Sequence, residues 1–223
     1  MTPIAEPPGR SLRRDAERNR QRILHAAAEV FRERGLDATL DDIAHRAGVG
    51  VGTVYRRFSD KETLVAELFQ ERIDQLVSEA EKACAADDPW DGFLSYLEYV
   101  ATTMAGDLGL RQMLLFATYG RDRVACLREQ VRPVVDRLVT RAQEAGALRA
   151  DFSATDVPML TAMLASVAEY AAPVQPGLWR RYLVLVLDAL RPDGATPLAP
   201  PALTPEEMER VVRAHSSREA SRR

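Results

Sequence analysis

Residues 39–64 limit the possible folds more than any other part of this chain. Thr39 and Asp42 have the spacing of a capping box, in which each side chain binds the backbone amide of the other residue at the start of a helix. Apolar residues then recur at helical spacing up to Gly48, where a left-handed residue ends a helix at little cost. The pattern predicts a short helix followed by a tight turn.

A second short helix is expected over residues 50–58, with Val54 and Phe58 one turn apart and facing inward. Ser59 and Glu62 have the spacing of another capping box, which predicts a third helix immediately afterwards. Two short helices joined by a tight turn and supported by a third form a helix-turn-helix. This motif places its second helix in the major groove of DNA.

The segment resembles the TetR family of bacterial transcriptional regulators, and the helix expected over residues 18–34 matches the family too. Gly50 is the main departure, because the family usually has Ser or Thr there. The resemblance implies a DNA-binding homodimer, most often a repressor, with a larger helical domain that senses a ligand. The residues that carry it are Thr39, Ile43, Ala44, Ala47, Gly48, Val49, Gly52, Thr53, Val54, Tyr55, Phe58, Lys61, Glu62 and Leu64.

The outward side of the second helix supplies the predicted DNA contacts. Gly52 allows close approach of the backbone to phosphates, and Thr53 offers a hydroxyl to phosphate and a methyl group to thymine. Arg56 is the best candidate for reading a base, since a guanidinium pairs bidentately with guanine. Tyr55 and Lys61 resemble phosphate-binding residues of the family. The full predicted set is Thr39, Gly50, Val51, Gly52, Thr53, Tyr55, Arg56 and Lys61.

Charge is distributed unevenly along the chain. The net charge is −3, which by itself argues against a nucleic-acid partner. Residues 10–22, however, hold six arginines and two acids, whereas residues 63–223 hold 18 basic and 23 acidic side chains. A basic arm directly before a helix-turn-helix on an acidic body is typical of a local electrostatic footprint for DNA.

Other function classes find little support in the sequence. No apolar run approaches the roughly 20 residues of a membrane span, and no apolar signal core begins the chain. Cys84 and Cys126 lack metal-ligand spacing, which favours a reducing cytoplasm. His25, His45 and His215 are far apart, and no nucleophile–base set is apparent, so we expect no enzyme activity, metal or cofactor.

Helical periodicity continues to the end of the chain, and no segment alternates as a strand does. We therefore predict an all-α protein with about nine core helices: a three-helix DNA-binding domain followed by a larger ligand-binding and dimerisation domain. Helix 1 is expected over residues 15–34, and Pro133 is expected to kink or divide a helix over residues 124–145. The predicted parts are a disordered tail (1–9), the helix-turn-helix domain (10–62), the effector-binding and dimerisation domain (63–191), and a linker with a C-terminal extension (192–223). Within that extension a short helix is expected from Thr204 to about His215, with no visible partner.

Aromatic and Met side chains with few charges nearby suggest an apolar pocket in the second domain. For each of them, ordinary core packing is the alternative. The candidates are Trp90, Phe93, Tyr96, Met104, Met113, Phe116, Tyr119, Met163 and Tyr170.

The last core helix, over residues 178–190, is apolar on nearly every side, so we expect it to pair with its copy across a two-fold axis. The interface candidates are Leu164, Val167, Trp179, Tyr182, Leu183, Val186 and Leu190.

The leading hypothesis is a homodimeric regulator, most often a repressor in this family. It binds a pseudo-palindromic double-stranded DNA operator and releases it when a small apolar or amphipathic effector binds. Three alternatives stay open at this point: a regulator controlled by a protein partner, a helical enzyme, and a helix bundle that binds membrane surfaces.

Overall fold

The computed structural model describes residues 8–116, 121–194 and 196–220. Side chains are described from Asp15 onward, except at 114–125, 127–128, 195, 212–213 and 215–223. Over these residues the chain forms ten α-helices and one 3₁₀ turn (Gly35–Asp37) and contains no strand, which confirms the all-α prediction. The helices are α1 (Pro8–Arg34), α2 (Leu40–Ala47), α3 (Val51–Arg57), α4 (Lys61–Cys84), α5 (Pro89–Gly106), α6 (Leu108–Phe116), α7 (Arg121–Glu144), α8 (Asp156–Ala171), α9 (Trp179–Leu190) and α10 (Pro205–Ala220).

The N-terminal head, α1–α3, has the predicted local signals. The Asp42 amide donates to Thr39 Oγ1 at 3.1 Å and the Thr39 amide donates to Asp42 Oδ2 at 2.8 Å, which completes the capping box of α2. Hydrogen bonds from the Thr39 side chain and amide hold the pKa of Asp42 below its ordinary value, so the box is intact at neutral pH. Gly48 ends α2 with a φ of +62°, in the left-handed region.

The start of α4 differs from the prediction. Asp60, not Ser59, is the N-cap, because its carboxylate accepts the Thr63 amide at 2.7 Å. Ser59 instead donates its hydroxyl to Asp60 Oδ2 at 3.0 Å, so the predicted box between Ser59 and Glu62 is wrong. From there α4 runs for 24 residues out of the head and packs against α5 and α7.

The body is built from α5 to α9 around α4. Asp88 caps α5 by accepting the Trp90 and Asp91 amides, with Pro89 in the first turn as predicted. In α7 the helix continues across Pro133 as a single element rather than two. Packing of α8 against α5 and α9 completes this layer.

Both ends of the chain are more helical than expected. Helix α1 begins at Pro8, seven residues before the predicted start at residue 15; residues 1–7 of the predicted disordered tail lie outside the described residues. Helix α10 extends to Ala220 and packs against α6. The C-terminal extension therefore has a partner that the sequence did not reveal.

Candidate nucleic-acid interface and effector cavity

The outer side of α3 is open to solvent. Val54 and Phe58 are buried in the head, whereas the Tyr55 residue is 53% exposed. Gly52 and Arg56 are also exposed, and Thr53 is half-buried. Inward and outward positions of α3 therefore alternate as its sequence predicted, and this helix offers a small polar face to a partner.

Gly50 precedes α3 as its N-cap, with an extended backbone (φ −65°, ψ 140°) and no side-chain hydrogen bond. Its carbonyl accepts the Thr53 amide at 2.8 Å. A Cβ atom at Gly50 would lie 3.9 Å from Thr53 Oγ1, an ordinary contact, and one at Gly52 would meet nothing within 4 Å. Space is therefore available for the hydroxyl residue that the TetR resemblance leads one to expect at this cap.

Arg56 lies along its own helix. Its Nε donates to the Gly52 carbonyl at 3.2 Å and its Nη2 is 3.4 Å from Thr53 Oγ1. A guanidinium has five N–H donors, so three are left for a partner in front of the helix. Arg57 is exposed beside it.

Lys61 and Thr39 make contacts different from those predicted. The Lys61 ammonium donates to the Leu36 carbonyl and sits 5.9 Å from the centre of the Phe31 ring, which links α4 to the 3₁₀ turn. Lys61 therefore has a structural role within the head, and its phosphate contact stays a prediction. The Thr39 hydroxyl is 2.7 Å from Asp42 Oδ2, so it is engaged in capping α2.

Two arginines of the basic arm also act inside the fold. Arg22 Nη2 donates to the carbonyls of Ala47, at 2.7 Å, and Gly48, at 3.4 Å, and so satisfies the end of α2. Arg20 forms ion pairs with Glu17 and with Glu67 of α4. Two of the six arginines of this arm therefore also hold the fold together.

In the body a cavity of about 160 Å³ lies between α4, α5, α7, α8 and α10. Tyr96 and Met104 line it, as predicted for two of the nine pocket candidates. Further lining residues, which the sequence analysis missed, include Leu76, Val100, Arg132, Val135, Thr155, Val157, Met159 and Met208. Nearly all of them are apolar side chains at helical spacing, which look like ordinary core in a sequence.

The other pocket candidates lie elsewhere. Trp90, Phe93 and Met113 are buried but do not line the cavity; the Phe93 ring packs edge-on against Phe152 with ring centres 5.7 Å apart. Met163 and Tyr170 are 60% and 91% exposed, so the prediction that they line a pocket in this chain is wrong. The side chains of Phe116 and Tyr119 lie outside the described residues.

The predicted dimer contacts divide into two groups. Four face the interior of their own chain and are not available to a partner: Leu164, Trp179, Leu183 and Leu190. Val167 and Val186 are half-buried, and Tyr182 is exposed. Helix α9 buries one stripe of side chains against its own chain, so it is not apolar contact surface on every side as predicted.

Comparisons with known proteins agree with this architecture. Residues 23–68 match the profile of bacterial regulatory proteins of the tetR family, and residues 88–192 match the C-terminal domain of SbtR-like transcriptional regulators. A TetR regulatory protein from Mycobacterium vanbaalenii is 30% identical, with 81% of this chain and 99% of that one aligned and a TM-score of 0.55. This chain belongs to the TetR family. It is therefore related to DNA-binding transcriptional regulators rather than to a family of enzymes.

Other similar regulators align with a smaller share of this TetR-family chain. The regulator SCO0520 from Streptomyces coelicolor is 31% identical over 78% of this chain and 99% of its own, with a TM-score of 0.55. The transcriptional regulator SAR0097 from Staphylococcus aureus is 38% identical over 84 residues, which are 36% of this chain. The match covers only 44% of that relative's length.

Two other kinds of site are absent from the described residues. No helix within the described ranges has both the length and the apolar character needed to cross a membrane. Nor do three His, Cys, Asp or Glu side chains of the described residues gather as metal ligands would.

Proposed function

We propose that this TetR-family protein is a ligand-responsive repressor that binds a pseudo-palindromic operator as a homodimer. The observation that carries the proposal is the outer face of α3. Its inward residues, Val54 and Phe58, are buried, while Tyr55 and Arg56 are exposed on a rigid support. A helix held in this way enters the major groove, where an arginine distinguishes guanine from other bases.

An exposed apolar surface on α8 and α9 supports the homodimer. These apolar side chains are exposed to solvent in the single chain. Exposed apolar patches normally mark an interface with another molecule. In a two-fold dimer the two copies of α3 have to lie about 34–36 Å apart to reach successive major grooves. The exposed apolar residues on α8, on α9 and in the loop between them are Met163, Tyr170, Val174, Tyr182, Val184 and Leu185.

Contacts between α6 and the head support ligand control. Gln112 Oε1 accepts the Leu36 amide at 2.6 Å, and Gly109 packs directly on Phe31 of α1. These contacts join α6 to the head, so a shift of α6 would be passed to it. An effector in the cavity needs to prefer the non-binding arrangement by only a few kcal/mol to release the operator. The cavity favours control by a small molecule over control by a protein partner.

Fluorescence anisotropy with operator DNA selected from genomic fragments tests the proposal. We expect Arg56→Ala to weaken binding by about 1–3 kcal/mol and to relax preference at one base pair. Arg137→Ala is the matched control, because Arg137 pairs with Glu81 on the surface of the body. Equal affinities of the two variants, or the absence of specific binding by the wild-type protein at low salt, would refute the DNA-reading role of α3.

A further inference from the structure

The C-terminal extension forms one wall of the cavity. Pro205, Met208 and Glu209 of α10 lie on the lining, together with residues of α4, α5, α7 and α8. This extension follows the segment that matches SbtR-like regulators, which ends at residue 192. The cavity is thus completed by a part of the chain that the family comparison does not include.

Hydrogen bonds fix the segment that leads to this wall. Thr155 Oγ1 donates to the Leu203 carbonyl at 2.7 Å, and the Leu198 amide donates to Asp151 Oδ2 at 2.8 Å. The Thr204 and Glu207 side chains form a capping box at the start of α10, at 3.2 Å and 3.0 Å. Because the segment is held at several points, α10 is a defined boundary of the cavity.

The size of the cavity limits its occupant. At about 160 Å³ it is close to the engineered apolar cavity of about 150 Å³ that binds benzene. Sites for drug-sized ligands are about 300–1,000 Å³. A single ring with one or two small substituents matches the volume between the five helices.

The charges on the lining disfavour an anionic occupant. Arg132 is the only cationic side chain among the described lining residues, and its Nη2 already donates to Glu129 Oε2 at 2.6 Å. Asp136 lies 3.8 Å away on the other side of the same guanidinium. Glu129 and Glu209 are the acidic side chains of the described lining. Among the described residues an anion would find no unpaired cation in this apolar space, which is strongly unfavourable.

One buried polar group points to the chemistry of the occupant. Tyr96 is only 3% exposed and lines the cavity, and no hydrogen bond joins its hydroxyl to any other residue that the structure describes. Burial raises the pKa of this phenol above its ordinary value, so the hydroxyl keeps its proton and remains a donor. A hydroxyl on the cavity lining offers a donor that an acceptor on a ligand would satisfy.

We infer that the effector is a compact uncharged molecule about the size of one aromatic ring, carrying an acceptor for the Tyr96 hydroxyl and enclosed by Met208 of α10. This inference rests on the proposed function, in which the cavity is the effector site. It adds the chemical class of the ligand and makes the C-terminal extension part of the binding site.

Calorimetric titration of the full-length dimer with three matched probes tests the ligand class without DNA. Acetophenone is neutral and has a carbonyl acceptor, ethylbenzene lacks the acceptor, and benzoate carries a charge. We expect acetophenone to bind most tightly and benzoate least. The opposite order, or no binding by either neutral probe at millimolar concentration, would overturn the inference.

Two pairs of variants test the assigned residues. Tyr96→Phe removes only the hydroxyl, so acetophenone affinity should fall about tenfold while ethylbenzene affinity stays the same. Met208→Trp should block both neutral probes by filling the space from α10, and Arg210→Trp, on the exposed side of the same helix, should not. Equal effects of the two tryptophan variants would exclude α10 from the site. Thermal unfolding of each variant checks that the fold is retained.

Operator binding separates this inference from the proposed function. If acetophenone binds as expected but leaves operator affinity unchanged, the ligand class stands and the cavity is not the regulatory switch. If operator DNA is bound specifically and none of the probes enters the cavity, the DNA-binding role stands and the inference on the ligand is wrong.

Discussion

Replacing Gly109 by alanine should strain the contact between the body and the DNA-binding head. Gly109 is the second residue of α6, and a Cβ atom there would lie 2.9 Å from Phe31 Cβ and 3.0 Å from the Phe31 carbonyl oxygen. Phe31 is buried in α1 and cannot move aside freely. Helix α6 must therefore retreat from α1, or α1 must shift with the head.

Adding a methyl group to a packed interior typically costs about 1–3 kcal/mol. For a chain of this size each kcal/mol lowers the melting temperature by about 2–4 °C. If α1 shifts to relieve the strain, the head moves with it and operator binding weakens. Each 1.4 kcal/mol lost from the binding free energy lowers operator affinity about tenfold. We therefore expect the Gly109→Ala variant to be both less stable and weaker in DNA binding.

Gly106→Ala is the matched control, because a Cβ atom at Gly106 would meet nothing within 4 Å. This change should be neutral or stabilise the protein by about 0.4–1 kcal/mol, since it reduces the entropy of the unfolded chain. Both variants are compared by chemical denaturation and by anisotropy with the same operator. A Gly109→Ala protein with wild-type stability and wild-type affinity would refute the argument that α6 presses on the head.

Three further predictions concern single hydrogen bonds. Gln112→Ala should lower the free energy of unfolding by about 1–3 kcal/mol, measured by chemical denaturation, because the Leu36 amide loses its acceptor. Gln112→Glu keeps an acceptor and should be nearly as stable as the wild type. Equal losses in the two variants would contradict this prediction. Gly50→Ser should raise the free energy of unfolding by a few tenths of a kcal/mol, and Gly50→Ala should lower it. The denaturation midpoint is the readout. The reverse order would show that α3 does not need a side-chain cap at this position. Hydrogen bonds from the Arg149 side chain and the Leu198 amide hold the pKa of Asp151 below its ordinary value of 3.8. The stability that these hydrogen bonds give to the fold is therefore present above pH 3.8 and is lost as the pH falls through the lowered pKa of Asp151. Hydrogen exchange of the Leu198 amide, measured between about pH 5 and about pH 2, is the readout. In the wild type the amide should lose protection toward the acid end, whereas in Asp151→Asn its protection should not depend on pH in this way. Identical profiles for the two proteins would contradict this prediction.

Local chemistry explains which parts of the fold the sequence predicted correctly. The box between Thr39 and Asp42, the left-handed Gly48 and the cap at Asp88 each depend on residues within four positions of one another. The buried pair Val54 and Phe58 likewise follows from helical spacing alone. Patterns of this range do not depend on how the helices pack.

Tertiary packing decided the parts that the sequence did not predict. Helix α8 has apolar residues on more than one side, so the sequence could not show that Leu164 faces the interior while Met163 faces solvent. Long polar side chains have many possible partners, and Lys61 binds the Leu36 carbonyl, 25 positions away in the chain. The contact of α10 with α6 joins residues still farther apart, and no local pattern records it.

The central claim is that the outer face of α3 contacts operator DNA. This contact can be measured by photo-crosslinking of the dimer–operator complex. One variant carries p-benzoyl-phenylalanine in place of Tyr55, which is exposed on α3, and the other carries it in place of Tyr182, which is exposed on α9. We expect crosslinks to DNA from position 55 and none from position 182. Crosslinks from position 182 alone would contradict it.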